Sequence, residues 1–535
     1  MNTVGMYLSR LLEAYGIEAV FGIPGVHTVE LYRGMEETRL THYTPRHEQG
    51  AGFMADGYAR ATGRPAACFI ITGPGMTNIV TAMAQAYADS VPMLVISAVN
   101  ALGQMGSGEG WLHELKDQRQ LVQGVCEFSH TITHPSELPK VVARAFAVFS
   151  GARPRPVHIE LPLDIITASA DALPPVKAAP LPQRPDAPPA QLQEAGRWIA
   201  EAKSPVILLG GGARDAGDLA RQLAETLDAP AVMTVNARGL LPPGHPLAVP
   251  CSVVMGSVAA LVEGADLVLA VGTEFGPTEY DLAGTGLPKF NGRSIRIDID
   301  PQQMMRTRFV DLPIVADTEL ALATLLPMLE KRERNGAARA AKARDTAHEG
   351  FPAKYRILSD MLEMVRDTLD GVIIVGDSTQ PVYAGCLDYA SAAPRRWFCS
   401  ATGYGTLGYG LPAAMGAKIG RPDAPVVCVI GDGGVQFSLQ ELATARENGL
   451  PVIVLLWNNQ GHGEIKSYMV QNGIRPVGVD LFAPDFQMLA AAFDCRAVKL
   501  ASPDDLPRLL REAAASGRPT VLEIDEHAYL AARTA

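Results

Sequence analysis

Residues 426–461 read VVCVIGDGGVQFSLQELATARENGLPVIVLLWNNQG. Two apolar runs, 426–430 and 452–457, each end abruptly in a polar loop: Gly431-Asp432-Gly433-Gly434 after the first and Asn458-Asn459-Gln460-Gly461 after the second. Unbroken Val/Ile/Leu runs of this length read as strands buried on both faces, and the stretch between them has a helical pattern. Strand, helix, strand in this order predicts a parallel sheet, whose ligands bind beyond the carboxyl ends of the strands. Both loops therefore point at one crevice. Glycines around Asp432 let phosphate oxygens approach backbone N–H groups at a helix start. One carboxylate (Asp432), one amide oxygen (Asn459) and a few main-chain oxygens, completed by phosphates, suit Mg²⁺ bound with a diphosphate. Either loop alone is an ordinary turn. The pair, 27 residues from Asp432 to Asn459, is specific.

The same alternation runs outward in both directions. Apolar strands are predicted at 19–21, 67–72, 93–97 and 157–161, with helical spacing of Leu8, Leu11, Leu12 and Tyr15 and a small-residue helix over 50–61 between them. A second block has strands at 206–209, 231–234, 267–272 and 294–298; the third adds 372–376 and 520–524, and a further strand at 397–400. Seven prolines between Pro174 and Pro189 make 171–190 an extended linker, and the charged, Ala-rich 331–349 reads as a surface helix and connector. The expected architecture is α/β, with three doubly wound parallel-sheet domains at 1–170, 191–330 and 351–535.

Composition narrows the function classes. The 535 residues carry 46 Lys+Arg against 57 Asp+Glu, net −11, which argues against a nucleic-acid partner. No apolar run approaches the ~20 residues of a spanning helix, so no membrane partner is expected. The seven cysteines are scattered without a C-x-x-C and read as buried thiols, neither a disulfide framework nor a zinc site. Residues 1–10 lack the basic and apolar regions of a leader, and a cytoplasmic protein is expected.

The Gly431-Asp432-Gly433 … Asn458-Asn459 pairing resembles the thiamine diphosphate signature of the decarboxylase and acetolactate synthase superfamily. Other stretches are similar to that family too: Phe21-Gly22-Ile23-Pro24-Gly25, Arg46-His47-Glu48-Gln49-Gly50-Ala51, Thr72-Gly73-Pro74-Gly75 with Asn78, 88–92, and 405–414. The resemblance covers nearly the whole chain. It implies a thiamine diphosphate- and Mg²⁺-dependent enzyme acting on a small 2-oxo acid. Asp432, Asn459 and the Gly461 carbonyl match the Mg²⁺ ligands, with Gly431 and Gly433 in the diphosphate loop. Glu48 matches the carboxylate that hydrogen-bonds the aminopyrimidine ring, Leu407 the residue that bends the coenzyme, and the Gly405 carbonyl the acceptor for its 4′-amino group. A carboxylate sharing a proton with the ring favours the imino tautomer, which draws the proton from thiazolium C2 and leaves an ylid. In the family the site forms between two subunits, so a homodimer or homotetramer is implied.

Departures from the pattern narrow the member. Where acetolactate synthases have Phe-Gln-Glu, the chain reads Leu112-His113-Glu114, and their arginine-bearing middle segment reads Gly272-Thr273-Glu274-Phe275, which argues against FAD. His27 lies in the loop where benzaldehyde lyase-like members place an active-site histidine. His27 and His113 are proton-shuttle candidates, set against the reading of each as a structural histidine. The runs 21–32 and 376–385 look most like 5-guanidino-2-oxopentanoate (2-ketoarginine) decarboxylases of the acetolactate synthase-like branch, which implies formation of 4-guanidinobutanal and CO2 through the ylid and an enamine. A guanidinium substrate calls for a carboxylate at the far end of the pocket, with Glu464, Glu114 and Glu109 as candidates. The alternative is acetolactate synthesis from two pyruvates. A nicotinamide dehydrogenase, suggested by G-x-G-x-x-G at 403–408, lacks an acidic residue at a strand end about 20 residues on. A non-catalytic homologue is set against intact Glu48, Asp432 and Asn459.

Overall fold

The computed structural model describes residues 2–281 and 286–534. Its strands form three six-stranded sheets. The first contains β1 (Ala19–Gly22), β2 (Thr41–Tyr43), β3 (Ala66–Ile70), β4 (Met93–Val99), β5 (Phe128–Thr131) and β6 (Val157–Pro162). Their spatial order is β2-β1-β3-β4-β6-β5, all parallel. The second holds β7 (Pro205–Leu209), β8 (Ala231–Met233), β9 (Ala248–Val249), β10 (Leu267–Val271), β11 (Arg293–Asp298) and β12 (Leu312–Val315) in the order β12-β11-β10-β7-β8-β9. The third holds β13 (Ile373–Gly376), β14 (Trp397–Cys399), β15 (Val426–Gly431), β16 (Ile453–Asn458), β17 (Arg496–Lys499) and β18 (Thr520–Asp525) in the order β14-β13-β15-β16-β18-β17.

In the first sheet the chain runs outward from β1 to β2 and then returns to place β3 on the other side of β1. That reversal leaves a crevice beyond the carboxyl ends of β1 and β3, the position where open α/β sheets take ligands. All seven residues of β4 are buried, as the unbroken apolar run requires.

The chain divides into two compact units. One comprises residues 1–183, 404–499 and 512–524; the other comprises 184–403, 500–511 and 525–535. Within the first unit the helix Glu48–Thr62 packs directly on the helix Gly410–Gly420. The contact is backbone against backbone: a Cβ on Gly57 would lie 1.9 Å from the Ala413 carbonyl oxygen, and one on Gly416 would lie 1.9 Å from the Met54 carbonyl oxygen. No side chain fits at either position. Beside this seam Arg60 is fully buried between Asp56 (2.7 Å) and Asp89 (2.6 Å), and the Tyr409 hydroxyl donates to Asp56 Oδ1 at 2.6 Å. A buried guanidinium held by two carboxylates stabilises one docking geometry, because removing any partner strands a charge away from water.

In the second unit the expected surface helix over 331–349 is shorter and docked. Its helical part is Gly336–Asp345, with Ala340 and Ala343 buried. Arg334 donates to the carbonyls of Ala202, Leu227 and Ile199, and Arg339 to those of Pro205 and Ser204. The charges that suggested exposure instead satisfy carbonyl groups at the ends of neighbouring elements. Residues 171–188 carry no helix or strand, as their prolines demand. The seven cysteines are free thiols, six of them buried. Among the described residues no helix is long and apolar enough to cross a membrane.

Candidate active site

Three loops meet beyond the first sheet. The loop after β3 carries Thr72-Gly73-Pro74-Gly75, where Gly73 has φ +68°, and opens the helix Pro74–Ala88. Glu48 starts its own helix, which His47 caps by accepting the Gln49 amide on Nδ1 at 3.1 Å. The Glu48 carboxylate is buried and accepts from Asn78 Nδ2 at 2.8 Å. Gly75 brings the loop close: a Cβ there would lie 3.4 Å from Glu48 Oε1 and 2.8 Å from Ile71. Gly25, in the loop after β1, packs on the same Ile71, within 2.2 Å of where a Cβ would stand. That loop is held by Thr28, whose hydroxyl donates to the Gly25 carbonyl at 3.0 Å.

The third loop follows β4. Asn100 Nδ2 donates to the Leu112 carbonyl at 3.0 Å, and His113 (φ +61°) sits so close to Gly73 that a Cβ there would meet the His113 carbonyl at 2.6 Å. His27 and His113, far apart in sequence, have ring centroids 5.3 Å apart. The Nδ1 of each is buried without a hydrogen-bond partner. Burial first, and the neighbouring His113 second, hold the His27 imidazole below the usual histidine range. Beneath the loops Gln118 is the buried strut. Its Oε1 accepts from the Thr72 hydroxyl (2.8 Å) and the Gly73 amide (3.1 Å), while its Nε2 donates to Glu160 at 3.1 Å.

The second group lies on the third sheet. Asp432 and Asn459 follow the adjacent strands β15 and β16. The Asn459 amide donates to Asp432 Oδ1 at 3.4 Å. Asp432 Oδ2 and Asn459 Oδ1 are both buried with no protein partner. Burial raises the Asp432 carboxyl above its usual range, opposed by the backbone amides of Asn459, Asp432, Gly433 and Gly461. A buried carboxylate oxygen and a buried amide oxygen, both without protein partners, are a donor set that suits a hard cation. Gly461, at φ +159°, approaches Val479 so closely that a Cβ would lie 2.2 Å from the Val479 carbonyl oxygen. The Gly405–Leu407 segment is tied to the helix Pro74–Ala88, with the Thr406 amide donating to Gln85 Oε1 at 3.3 Å. Gly405 has φ +76°, and Leu407 is half-buried.

The three carboxylates considered for a guanidinium differ sharply. Glu114 is consumed by its own loop: its oxygens accept from the Ser107 hydroxyl (3.0 Å) and from the amides of Gly108 (2.7 Å), Gly110 (2.9 Å) and Trp111 (3.0 Å). Those bonds hold its pKa below the usual range, that from Gly108 most of all. Glu109 is exposed and accepts from Trp111 Nε1 at 3.2 Å. Glu464 is half-buried in the first turn of the helix Gly463–Gln471, just beyond Gly461.

Two features went unread in the sequence. Asn78 had no stated role, although its position one helical turn past Pro74 faces it toward Glu48. Glu441 lies in the helical stretch between the two strands, and full burial of a carboxylate leaves no mark in a single sequence.

Comparison with known proteins identifies the family. Residues 2–121 match the thiamine pyrophosphate enzyme N-terminal TPP binding domain, 192–325 its central domain and 378–524 its C-terminal TPP binding domain. The chain is 43% identical over 536 residues to the probable 2-ketoarginine decarboxylase AruI of Pseudomonas aeruginosa, covering 98% of this chain and 94% of that one. It is 33% identical to the probable acetolactate synthase large subunit of Methanocaldococcus jannaschii, covering 96% and 90% of the two chains. With the acetolactate synthase isozyme 1 large subunit of Escherichia coli the identity is 32%, covering 97% and 93%. Matched along all three domains, the chain belongs to the thiamine pyrophosphate enzymes.

Proposed function

We propose that the chain is a thiamine diphosphate- and Mg²⁺-dependent decarboxylase that converts 5-guanidino-2-oxopentanoate to 4-guanidinobutanal and CO2. The observation that carries the substrate is the margin between relatives, 43% identity to a probable 2-ketoarginine decarboxylase against 33% and 32% to two acetolactate synthases. Bound thiamine diphosphate supplies a carbon nucleophile and an electron sink for the pair left behind by CO2.

The chain's own residues supply the rest. Asp432, Asn459 and the Gly461 carbonyl hold Mg²⁺; the two stranded oxygens fit a hard cation. Gly431 and Gly433 would offer the diphosphate their backbone, with His462 packed against Gly433, 3.0 Å from where a Cβ would stand. Glu48, buried and steadied by Asn78, holds the proton at the aminopyrimidine ring. The Gly405 carbonyl would accept from the ring's amino group, and Leu407 would supply an apolar prop for the coenzyme. His27 and His113 act as one proton-transfer pair at the reacting carbon, His27 entering as the neutral base. Glu464 pairs with the guanidinium, since Glu114 is committed to its loop. This reading does not call on FAD: Glu274 stands in the middle-domain segment where the family's FAD-binding members carry an arginine.

The site is completed by a second copy of the chain, in a homodimer or homotetramer. Large apolar side chains lie exposed among the site loops themselves: Val26, Trp111 and Leu112 around the histidines, and Phe437, Ile465 and Tyr468 around the metal loops. Apolar exposure on this scale marks a surface that another protein covers.

The test is CO2 release by the purified protein with thiamine diphosphate and Mg²⁺, given 5-guanidino-2-oxopentanoate or pyruvate, with the organic product identified. Release from the guanidino acid with 4-guanidinobutanal supports the assignment. Acetolactate accumulating from pyruvate alone replaces it with the synthase reading that the 32–33% relatives favour.

A further inference from the structure

Glu441 begins the helix Glu441–Glu447 in the C-terminal part of the chain, and its carboxylate is completely buried. It reaches across to the turn that precedes the catalytic helix. The Arg46 amide donates to Glu441 Oε1 at 3.0 Å and to Oε2 at 3.2 Å. The His47 amide also steadies its charge. From its own helix the Thr444 hydroxyl donates to Oε2 at 2.8 Å. Gly50, on the first turn of the catalytic helix, is bare where a Cβ would come within 2.6 Å of Glu441 Oε1. The charged and titratable groups around it are Arg46 and His47 on the turn and Glu447 on its own helix, where Glu447 pairs with the Arg46 guanidinium. The turn 44–48 is thus held by a carboxylate nearly 400 residues away in sequence.

We propose that Glu441 is a positioning residue for Glu48: its ionised carboxylate, by holding the Arg46 and His47 amides, fixes the start of the helix that presents Glu48 to the coenzyme. This rests on the reading of Glu48 as the catalytic carboxylate. Both Glu441 oxygens are needed as acceptors, so protonation takes one of them away and loosens the turn. Burial pushes the Glu441 carboxyl up to about 7, against hydrogen bonds from Thr444 and Arg46 that pull the other way. The device therefore changes state near pH 7.

The experiment compares wild type with Glu441→Gln, Glu441→Asp, Thr444→Val and Glu48→Gln. It reads amide hydrogen exchange at residues 46–48, which needs no coenzyme, and the pH profile of kcat for 2-oxo acid decarboxylation. Glu441→Gln is expected to speed exchange of the Arg46 and His47 amides about tenfold above about pH 8, the worth of one charge-assisted hydrogen bond. Its kcat should drop by a similar factor with KM nearly unchanged, and the rise of kcat through about pH 7 should vanish, while Glu441→Asp regains part of the rate. Wild-type amide protection and an unchanged pH profile in Glu441→Gln would overturn the proposal. If that variant does not fold, Thr444→Val decides: losing the hydroxyl should raise the inflection of the kcat profile, and an unmoved inflection counts against Glu441. Glu48→Gln separates the two readings. It should stop turnover and leave the turn protected; full turnover in that variant removes Glu48 from catalysis, and the amide exchange still reports on Glu441.

Discussion

The imidazole rings of His27 and His113 stand 5.3 Å apart, and each keeps a buried Nδ1 with no protein partner. Burial, and the neighbouring ring second, hold the His27 imidazole below the usual histidine range, so it meets the reacting carbon as a base. Replacing either with Asn is expected to lower kcat by about 10²-fold, within the usual range for a lost acid–base group. Residues that act as one unit lose their effect together, so the double variant should be scarcely worse than the poorer single one. Steady-state kinetics of the two singles and the double test this; multiplicative losses would mean that the histidines act independently.

Asp432 Oδ2 and Asn459 Oδ1, both buried without a protein partner, form the proposed cation site. Adding Mg²⁺ with thiamine diphosphate at 100 times its Kd should stabilise the chain by about 2.7 kcal/mol through binding alone. Asp432→Asn, or chelation by EDTA, should remove most of that gain. The check is a denaturant titration with and without the pair of ligands; equal stabilisation of Asp432→Asn and wild type would place the metal elsewhere.

The Glu441 carboxyl titrates at about 7 in the folded chain, against an ordinary 4.5. Between those values the folded protein keeps a proton that the unfolded chain has lost. Stability therefore falls as pH rises through that window and levels off above it, by about 3 kcal/mol in all. Glu441→Gln cannot titrate and should lack that slope. Denaturant midpoints from about pH 5 to 8 would show the variant gaining on wild type as pH rises; parallel curves contradict the assignment. Ionisation is thus expected to help catalysis while costing stability.

Glu464→Gln should raise KM for 5-guanidino-2-oxopentanoate by about 10- to 100-fold, the value of a charge-assisted pair with a guanidinium, and leave a short-chain oxo acid unaffected. Glu114→Gln should behave differently, unravelling the loop 107–111 and lowering kcat for every substrate. Substrate-comparison kinetics separate the two. An unchanged KM in Glu464→Gln removes it from the pocket.

What the sequence disclosed follows from burial. The runs read as strands correspond to β1, β3, β4 and β6, to β7, β8, β10 and β11, and to β13, β15, β16 and β18, together with β14. The strands that were missed, β2, β5, β9, β12 and β17, all lie at sheet edges. An interior strand is apolar on both faces and shows as an unbroken run, whereas an edge strand such as Thr41–Tyr43 is partly solvated and mixed in composition. The site divides in the same way. Asp432 and Asn459 were visible because each ends an interior strand. The meeting of His27 with His113, and of Glu441 with Arg46, depends on which loops converge, and nothing local records that.

The bare seam between Gly57 and Ala413, and between Gly416 and Met54, joins stretches of chain more than 300 residues apart. On the ribosome the helix bearing Glu48 emerges early and waits for its partner while more than 300 further residues are added. Through that interval its glycine-lined face is open to water and to other nascent chains, and contacts of such sequence separation form slowly. Folding yield of this protein should therefore depend on how well that one helical face is shielded before the last third of the chain arrives.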